Sequence, residues 1–597
     1  MKRFLVAATT MGLIVGSAFA SAAQPVVATW STTVTVATPG VGVELNDPGV
    51  AVSSDGKRQS VVWARTTGSE YRIQFTASAD RGATWTAPFD IESSSEVLRN
   101  PSVVTSQDGQ RTTVGYVGYA GGIRETRIRQ FNGSAWGAMK RLSADGVNVA
   151  EFPRLAATPS GSRVLVAWSE TSGGLKAAVV DDGVPVSTPI SSSVSQEDSA
   201  PVISADGATL ALVWSSGSGE ILARTSTDGA ATWGTTKTLM TSATEELRNL
   251  AASISADGSR IVATWQQGDS IRASYTSDNG QTWSDPAVLG QQAGFSVGQI
   301  TGSDSGDRFA VAWTAANAKG NRSVQVARTS DGGLTWARTE VSPDDVNADI
   351  PLLASSTNGK RLTVTWVQPY GTERAFVAAN SADAGQSWSS PTTVEAVLGE
   401  YGSITSAAKG DPTLVFQTAT GTIAAASAAV TTVPGPPQAV AASGTTISWT
   451  PPVDDGGAAV TEYTVSAGSA TCSTSGLACA LTLPPGSYAV TVTARNAIGT
   501  GPASAPITVS IPAPAPTPKT QVVKKPPSKL KKGKKAKLAA KTSAGVKIAW
   551  KSTTKKKCAV KKGKVVAKKK GKCKLSAKAP AVRGYAAVSK KFVVKIR

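Results

Sequence analysis

The octets SADRGATW (residues 78–85), TSDNGQTW (276–283), TSDGGLTW (329–336) and SADAGQSW (381–388) are near copies of one another. STDGAATW (226–233) is a fifth copy, with Ala230 where the others carry glycine. Trp136 in FNGSAW marks a degenerate copy without the aspartate, and the stretch around Asp181 to Pro185 marks another without the tryptophan. A period of about 50 residues means a repeat architecture, in which no single unit buries its apolar face alone.

Between the octets runs a second series, the ends of alternating apolar strands at Trp63, Tyr116, Trp168, Trp214, Trp265, Trp313, Trp366 and Phe416. Each follows a hairpin signal such as SDG (54–56), QDG (107–109), ADG (205–207 and 256–258) or NG (358–359). One unit therefore has four short antiparallel strands, which is one propeller blade. The last unit ends near Val430 without an octet or fourth strand, while Trp30 in TWSTTVTV opens an orphan strand with no preceding three. Pairing the two closes a ring and removes two exposed sheet edges. The expected fold is all-β: an eight-bladed β-propeller over residues 30–430, with seven blades as the alternative, followed by two small β-sandwich domains.

The octet resembles the Asp-box (BNR) repeat of the sialidase-like propellers. The resemblance implies a structural turn, with the aspartate capping it, glycine supplying positive φ and the tryptophan packing between blades. The same follows from residue type, since Asp and Gly are the residues of tight turns. A calcium loop is the other reading of D-x-G, but each loop supplies too few acidic ligands. Asp80, Asp228, Asp278, Asp331 and Asp383 are expected to be scaffold, and no metal or cofactor is expected.

Alternating strands put the octets and hairpins on one face, so the loops entering each first strand share the other. Ten residues before each hairpin glycine stand Asn46, Arg99, Glu151, Glu197, Arg248, Ser296, Asp349 and Glu400, all polar. Converging on one axis, these groups are the expected ligand site; a ring of ordinary polar loop tips is the plainer alternative. What the resemblance implies for catalysis is a sialidase-like exo-glycoside hydrolase, in which three arginines hold the substrate carboxylate, an Asp serves as acid and base, and a Tyr–Glu pair supplies the nucleophile. Arg99 and Arg248, in LRN motifs (98–100 and 247–249), fit the clasp, with Arg154 shifted by three residues. Tyr401 beside Glu400, or Tyr370 in QPYGTER, fits the nucleophile, with Glu151 among the neighbouring carboxylates. The family's F/Y-R-I-P signature is absent: YRIQF (71–75) lacks the proline and falls on a third strand. No tryptophan is left to stack on a sugar, because seven open fourth strands, six end second strands, and Trp449 and Trp550 belong to other cores. The leading expectation is binding of glycan or a cell-surface protein without catalysis.

The chain has 597 residues, 57 Gly and 32 Pro, and no histidine, which excludes Ser-His and Cys-His dyads and imidazole metal ligands. Lys2, Arg3, an apolar run to Phe19 and small residues to Ala22 read as an export signal (1–22), and no segment is long and apolar enough to span a membrane. The protein is expected to be secreted or held at the cell envelope. Two close cysteine pairs, Cys472 with Cys479 and Cys558 with Cys573, then read as local disulfides.

Residues 434–512, from Trp449 in ISWTPP through Tyr463 to LPPGSYAVTVTARNAIGTGPAS (483–504), resemble a fibronectin type III domain, with Tyr488 as its corner tyrosine. Residues 513–526 read as a Pro-rich linker, and 527–597 resemble a bacterial immunoglobulin-like module with Trp550 in its core. Of the 61 basic residues, 29 lie in 519–597, which has no Asp or Glu; the rest carries 32 basic against 41 acidic, or −9. Such a module calls for an anionic partner outside the cell: an anionic cell-wall polymer such as wall teichoic acid, an acidic polysaccharide, lipid headgroups or extracellular DNA, since the attraction is to charge density rather than to bases. Sequence-specific nucleic-acid binding is not expected, since Trp550, Tyr585 and Phe592 are not interleaved as a stacking platform.

Overall fold

The computed structural model describes residues 26–150, 153–171, 174–182, 184–191, 199–291, 299–371, 373–396 and 402–597; the proposed export signal lies outside them. Eight antiparallel sheets follow in chain order. The first runs Glu44–Val52, Gln59–Thr66, Tyr71–Ser78, Phe89–Ser94, and the second Leu98–Thr105, Thr112–Ala120, Ile123–Phe131, Lys140–Arg141. The third is Arg154–Ala157, Arg163–Glu170, Gly174–Asp181, Val184–Pro189, and the fourth Ser199–Ile203, Leu210–Ser216, Glu220–Ser226, Lys237–Thr241. Leu247–Ile254, Ile261–Gln267, Ser270–Thr276 and Ala287–Gly290 form the fifth, and Gln299–Gly302, Phe309–Ala316, Arg322–Thr329 and Ala337–Glu340 the sixth. The seventh is Asp349–Ser355, Leu362–Tyr370, Glu373–Ser381, Thr392–Ala396. The eighth has three strands of its own, Gly402–Ser406, Pro412–Gln417 and Ile423–Thr432, and the chain start completes it: Val26–Trp30 and Val34–Ala37 both pair antiparallel with Ile423–Thr432.

The first strand of each sheet packs beside that of the next, and Gly402–Ser406 returns to Glu44–Val52. Hairpin backbones carry the same cycle. The N–H of Ser54 donates to Gln107 O at 2.7 Å, Gln107 to Pro159 O, Ala205 to Ala256 O, Ala256 to Asp304 O, Asp304 to Thr357 O, Thr357 to Ala408 O, and Ala408 back to Ser54 O at 2.9 Å. This is a propeller-like, all-β arrangement.

The second-strand aromatics are its core: Trp63, Tyr116, Trp313, Trp366 and Phe416 are fully buried, and Trp168, Trp214 and Trp265 nearly so. The octets make one repeated turn. In the first, Ser78 Oγ donates to Asp80 Oδ1 at 2.8 Å, Thr84 N–H to Asp80 Oδ1 at 2.9 Å, and Thr84 Oγ1 to Asp80 Oδ2 at 2.5 Å. Asp228, Asp278, Asp331 and Asp383 repeat these bonds within 0.2 Å. The fourth strands begin after the octet tryptophan rather than on it, so the tryptophan is free to turn inward between sheets. Trp85, Trp136, Trp233, Trp283, Trp336 and Trp388 each pack between their own sheet and the one before, and Trp30 does so between the seventh and eighth.

Two further units follow. In one, a three-stranded sheet (Gln438–Ser443, Thr446–Thr450, Ala478–Ala480) faces a four-stranded one (Ala470–Thr474, Glu462–Ala467, Gly486–Arg495, Ile507–Ile511) around Trp449 and Tyr463, and Tyr488 Oη donates to Pro484 O at 3.0 Å. The Cys472–Cys479 disulfide joins strands of the two different sheets rather than the two arms of one hairpin. This unit is docked on the ring. Buried Arg361 donates to Asp454 Oδ1 at 2.9 Å and to Thr432 Oγ1, while Asn496 Nδ2 donates to Thr432 O at 2.7 Å.

The last unit packs a four-stranded sheet (Lys529–Leu530, Val588–Ile596, Gly571–Ala579, Ala549–Ser552) on a three-stranded one (Lys535–Lys537, Lys564–Ala567, Cys558–Lys561). The Cys558–Cys573 disulfide again bridges the two sheets. It starts earlier than the composition implies: Lys519–Thr520 pairs with Tyr585–Ala586, and Gln521, at 1% exposure, donates to Pro580 O and Ala586 O. The extended Pro-rich stretch therefore ends at 518 rather than 526, because Gln521 and Val523 are needed to fill the core.

Candidate functional site

Four of the eight expected ring positions lie in described residues, and all four have the same local structure. Asn46, Arg99, Arg248 and Asp349 each follow a buried apolar residue (Leu45, Leu98, Leu247, Ala348) and each pair with the residue after the second-strand aromatic, namely Ala64, Val117, Gln266 and Val367. Each precedes a break in register whose next residue is left-handed: Asp47 (φ 54°), Asn100 (φ 50°), Asn249 (φ 55°) and Ile350 (φ 51°). These bulges bend the entry of the first strand and re-aim its side chains. Glu151, Glu197, Ser296, Glu400 and Tyr401 fall outside the described residues.

The side chains engage their own surroundings. Arg99 stacks its guanidinium over Tyr119, 5.6 Å from the ring centre, and Arg248 pairs with Glu246 at 2.9 Å. Asp349 accepts from Arg322 at 2.9 Å and lies 3.6 Å from Arg374. Tyr370 is 52% exposed at the end of its strand, opposite Glu373. A cavity of about 440 Å³ opens among first strands of the first, second, third and eighth sheets, lined by Asp47, Asn100, Pro48, Pro101, Pro153, Arg154 and Ser403. Its polar lining is Asp47 and Asn100, the left-handed residues one step beyond two of the expected positions, together with Ser102, Arg154 and Ser403. In the first and second sheets the bulge brings the residue after Asn46 and Arg99 to the cavity.

The last unit carries a second candidate site. On the outer face of its four-stranded sheet, Lys529, Lys595 and Lys572 stand side by side across three strands, and Lys551, Ser576 and Lys591 form a parallel row. Lys574 and Lys578 lie on the same face, and every one of these lysines is exposed. Their inward neighbours Leu530, Cys573, Leu575, Val594 and Ile596 fill the core. Strands about 4.8 Å apart and alternate residues about 6.6 Å apart make this a grid of positive charge, which like-charge repulsion opposes. The face presents no exposed aromatic side chain, only Val593, Ala549 and serines.

Among the described residues no helix is long and apolar enough to cross a membrane, and no group of three or more Cys, Asp or Glu side chains is placed to hold a metal ion. No family model matches the chain, and no curated protein matches it. Among solved structures, a polysaccharide lyase, an ulvan lyase bound to a glucuronate–rhamnose sulfate fragment, is similar at a TM-score of 0.38 and 12% identity, over 53% of this chain and 90% of that one. A Hadza microbial sialidase is similar at 0.30 and 12%, over 64% and 65% of the two chains. The NanB sialidase of Streptococcus pneumoniae is similar at 0.30 and 12%, over 67% and 70%.

Proposed function

We propose that the chain is an exported binding protein: an eight-bladed Asp-box propeller whose strand-entry face takes glycan or a cell-surface protein without catalysis, followed by a fibronectin type III spacer and an immunoglobulin-like module that holds it on an anionic cell-wall polymer. The observation that carries this reading is the lysine face of the last unit. Aligned lysines without an acidic neighbour repel one another, so an ordered array of this kind is relieved by a polyanion laid across it. Lysine is a hydrated point charge suited to phosphate or carboxylate of any sequence. The lack of an exposed aromatic platform speaks for a wall polymer over single-stranded nucleic acid.

On the ring, the bulged entries, Arg154 and the 440 Å³ cavity supply a polar recess of ligand size. Hydrolysis draws no support from Tyr370, which is half-exposed at a hairpin end opposite Glu373 and whose hydroxyl takes part in no hydrogen bond among the described residues. The test is twofold. Removing residues 519–597 should release the protein from cell envelopes into the medium, and unchanged retention defeats the anchoring reading. A glycan array should give binding that falls at least about tenfold in Arg154→Ala, while a fluorogenic sialoside stays uncleaved; turnover lost in Arg99→Ala and Arg248→Ala would establish the hydrolase instead.

A further inference from the structure

Seven of the eight inter-sheet seams hold an octet-type tryptophan, counting Trp30. The seam between the second and third sheets does not; its cluster is Ile128, Leu142, Val149, Val164, Val166, Trp168, Ala178 and Val180. The reason lies in the third sheet. Asp181 pairs directly with Val184, so the connection that elsewhere carries the tryptophan is too short here to hold one.

In the preceding seam Trp136 packs on Phe75 at 5.0 Å, edge-on, and stacks on Phe89 at 6.1 Å. Phe75 and Phe89 pair with one another, as Ile128 and Lys140 do in the second sheet. Where the third sheet's tryptophan belongs, the floor is therefore Ile128 and Lys140. A groove of about 430 Å³ opens there, lined by both residues and by Arg111, Arg129, Phe131 and Asp182. Arg111 reaches across its mouth to Asp182 at 2.5 Å, an exposed pair that contributes little and yields readily. Arg129 stays in place through its bond to Gly137 O at 2.8 Å. The groove thus combines a slot that takes an indole in the other seams with three cations against one carboxylate.

From this we infer that the seam between the second and third sheets is a binding site for a small molecule bearing an aromatic ring and an anionic group, the ring in the vacated tryptophan seat and the anion on Lys140 and Arg111. The site lies on the octet face, opposite the strand entries, and stands independently of the glycan reading. Titration of the full chain with N-acetyl-L-tryptophan, its neutral amide and N-acetyl-L-aspartate tests it. The acid should bind, the amide at least about fivefold (about 1 kcal/mol) more weakly for want of the charge-assisted contact, and the aspartate not measurably. Ala138→Trp, at an exposed position on the groove lining, should fill the seat and weaken binding at least about tenfold. Lys140→Met should keep the amide's affinity and erase the preference for the acid. No binding by the wild type, equal binding of acid and amide, or binding untouched in both variants overturns the inference.

Discussion

Both carboxylate oxygens of Asp278 are occupied, Oδ1 by Thr276 Oγ1 and the Thr282 N–H and Oδ2 by the Thr282 hydroxyl, and the same holds in each octet. At Asp80 and Asp228 the hydroxyl of Thr84 or Thr232 is the main cause that holds the carboxyl down, to about 2. At Asp278 and Asp331 slight burial pushes the carboxyl up, but the loop's hydrogen bonds outweigh it and leave the same value of about 2. A carboxyl lower in the folded than the unfolded chain contributes stability above its unfolded value and loses it as pH falls through its folded one. Urea unfolding should show stability declining between about pH 4 and pH 2, with a shallower decline in Asp278→Asn; an identical acid limb would remove the turn from the account. Ala230 holds φ 71°, a region that costs an L-residue about 1–2 kcal/mol. Ala230→Gly should therefore stabilise the protein by about 0.5–1 kcal/mol, measured by urea unfolding at neutral pH, once the freer unfolded glycine is subtracted.

At the scale of elements, the second sheet departs from its neighbours and compensates in the same place. Tyr116 stands where most sheets carry tryptophan, and its hydroxyl donates to Glu92 at 2.5 Å across the seam. Burial first, then Glu92, push that phenol far above its usual range. Arg127, 8% exposed, pairs with the same Glu92 and holds Glu125 with two donors at 2.9 and 2.7 Å. Gly118 is required beside it, since a Cβ there would lie 2.6 Å from the guanidinium. Glu92→Ala should cost about 2–3 kcal/mol by leaving buried partners unmet, and Tyr116→Phe about 1 kcal/mol. Equal costs in urea unfolding would contradict the network. Docking of the second unit is a comparable case. Asp454→Ala removes the carboxylate over Arg361, and should speed limited proteolysis at VPGPPQ (433–438) severalfold while the ring's own unfolding changes by less than about 1 kcal/mol.

Over the whole molecule, ring closure joins the two ends of the chain's repeat region, with Val26 facing Thr432 and Trp30 facing Ala428. Deleting residues 26–37 should leave Ile423–Thr432 as an open edge, seen as aggregation in light scattering; a monomer of unchanged stability would mean the closure is dispensable. Trp30 was legible as the missing strand because a tryptophan and an alternating run stood without predecessors. The register of Asn46, Arg99, Arg248 and Asp349 was legible too, since the hairpin glycine and the second-strand aromatic fix it from both sides. Their bulges were not, because Asp47, Asn100, Asn249 and Ile350 share no residue type. Nor was the open seam: the short connection between Asp181 and Val184 and a lysine at 140 read as ordinary surface until pairing puts Lys140 in the place of Phe89, opposite Ile128. Docking through Arg361 escaped for the same reason, since its partner lies 93 residues away.

The anchoring claim rests on a face and not on charge alone, and two quadruple variants separate these. Lys572, Lys574, Lys591 and Lys595 changed to Gln remove charge from the face described, whereas Lys535, Lys537, Lys561 and Lys564 changed to Gln remove as much from the opposite sheet. The measurement is the salt concentration that elutes the full chain from isolated cell envelopes. A large drop is expected for the first variant and a small one for the second; equal drops, or none, would contradict anchoring by this face.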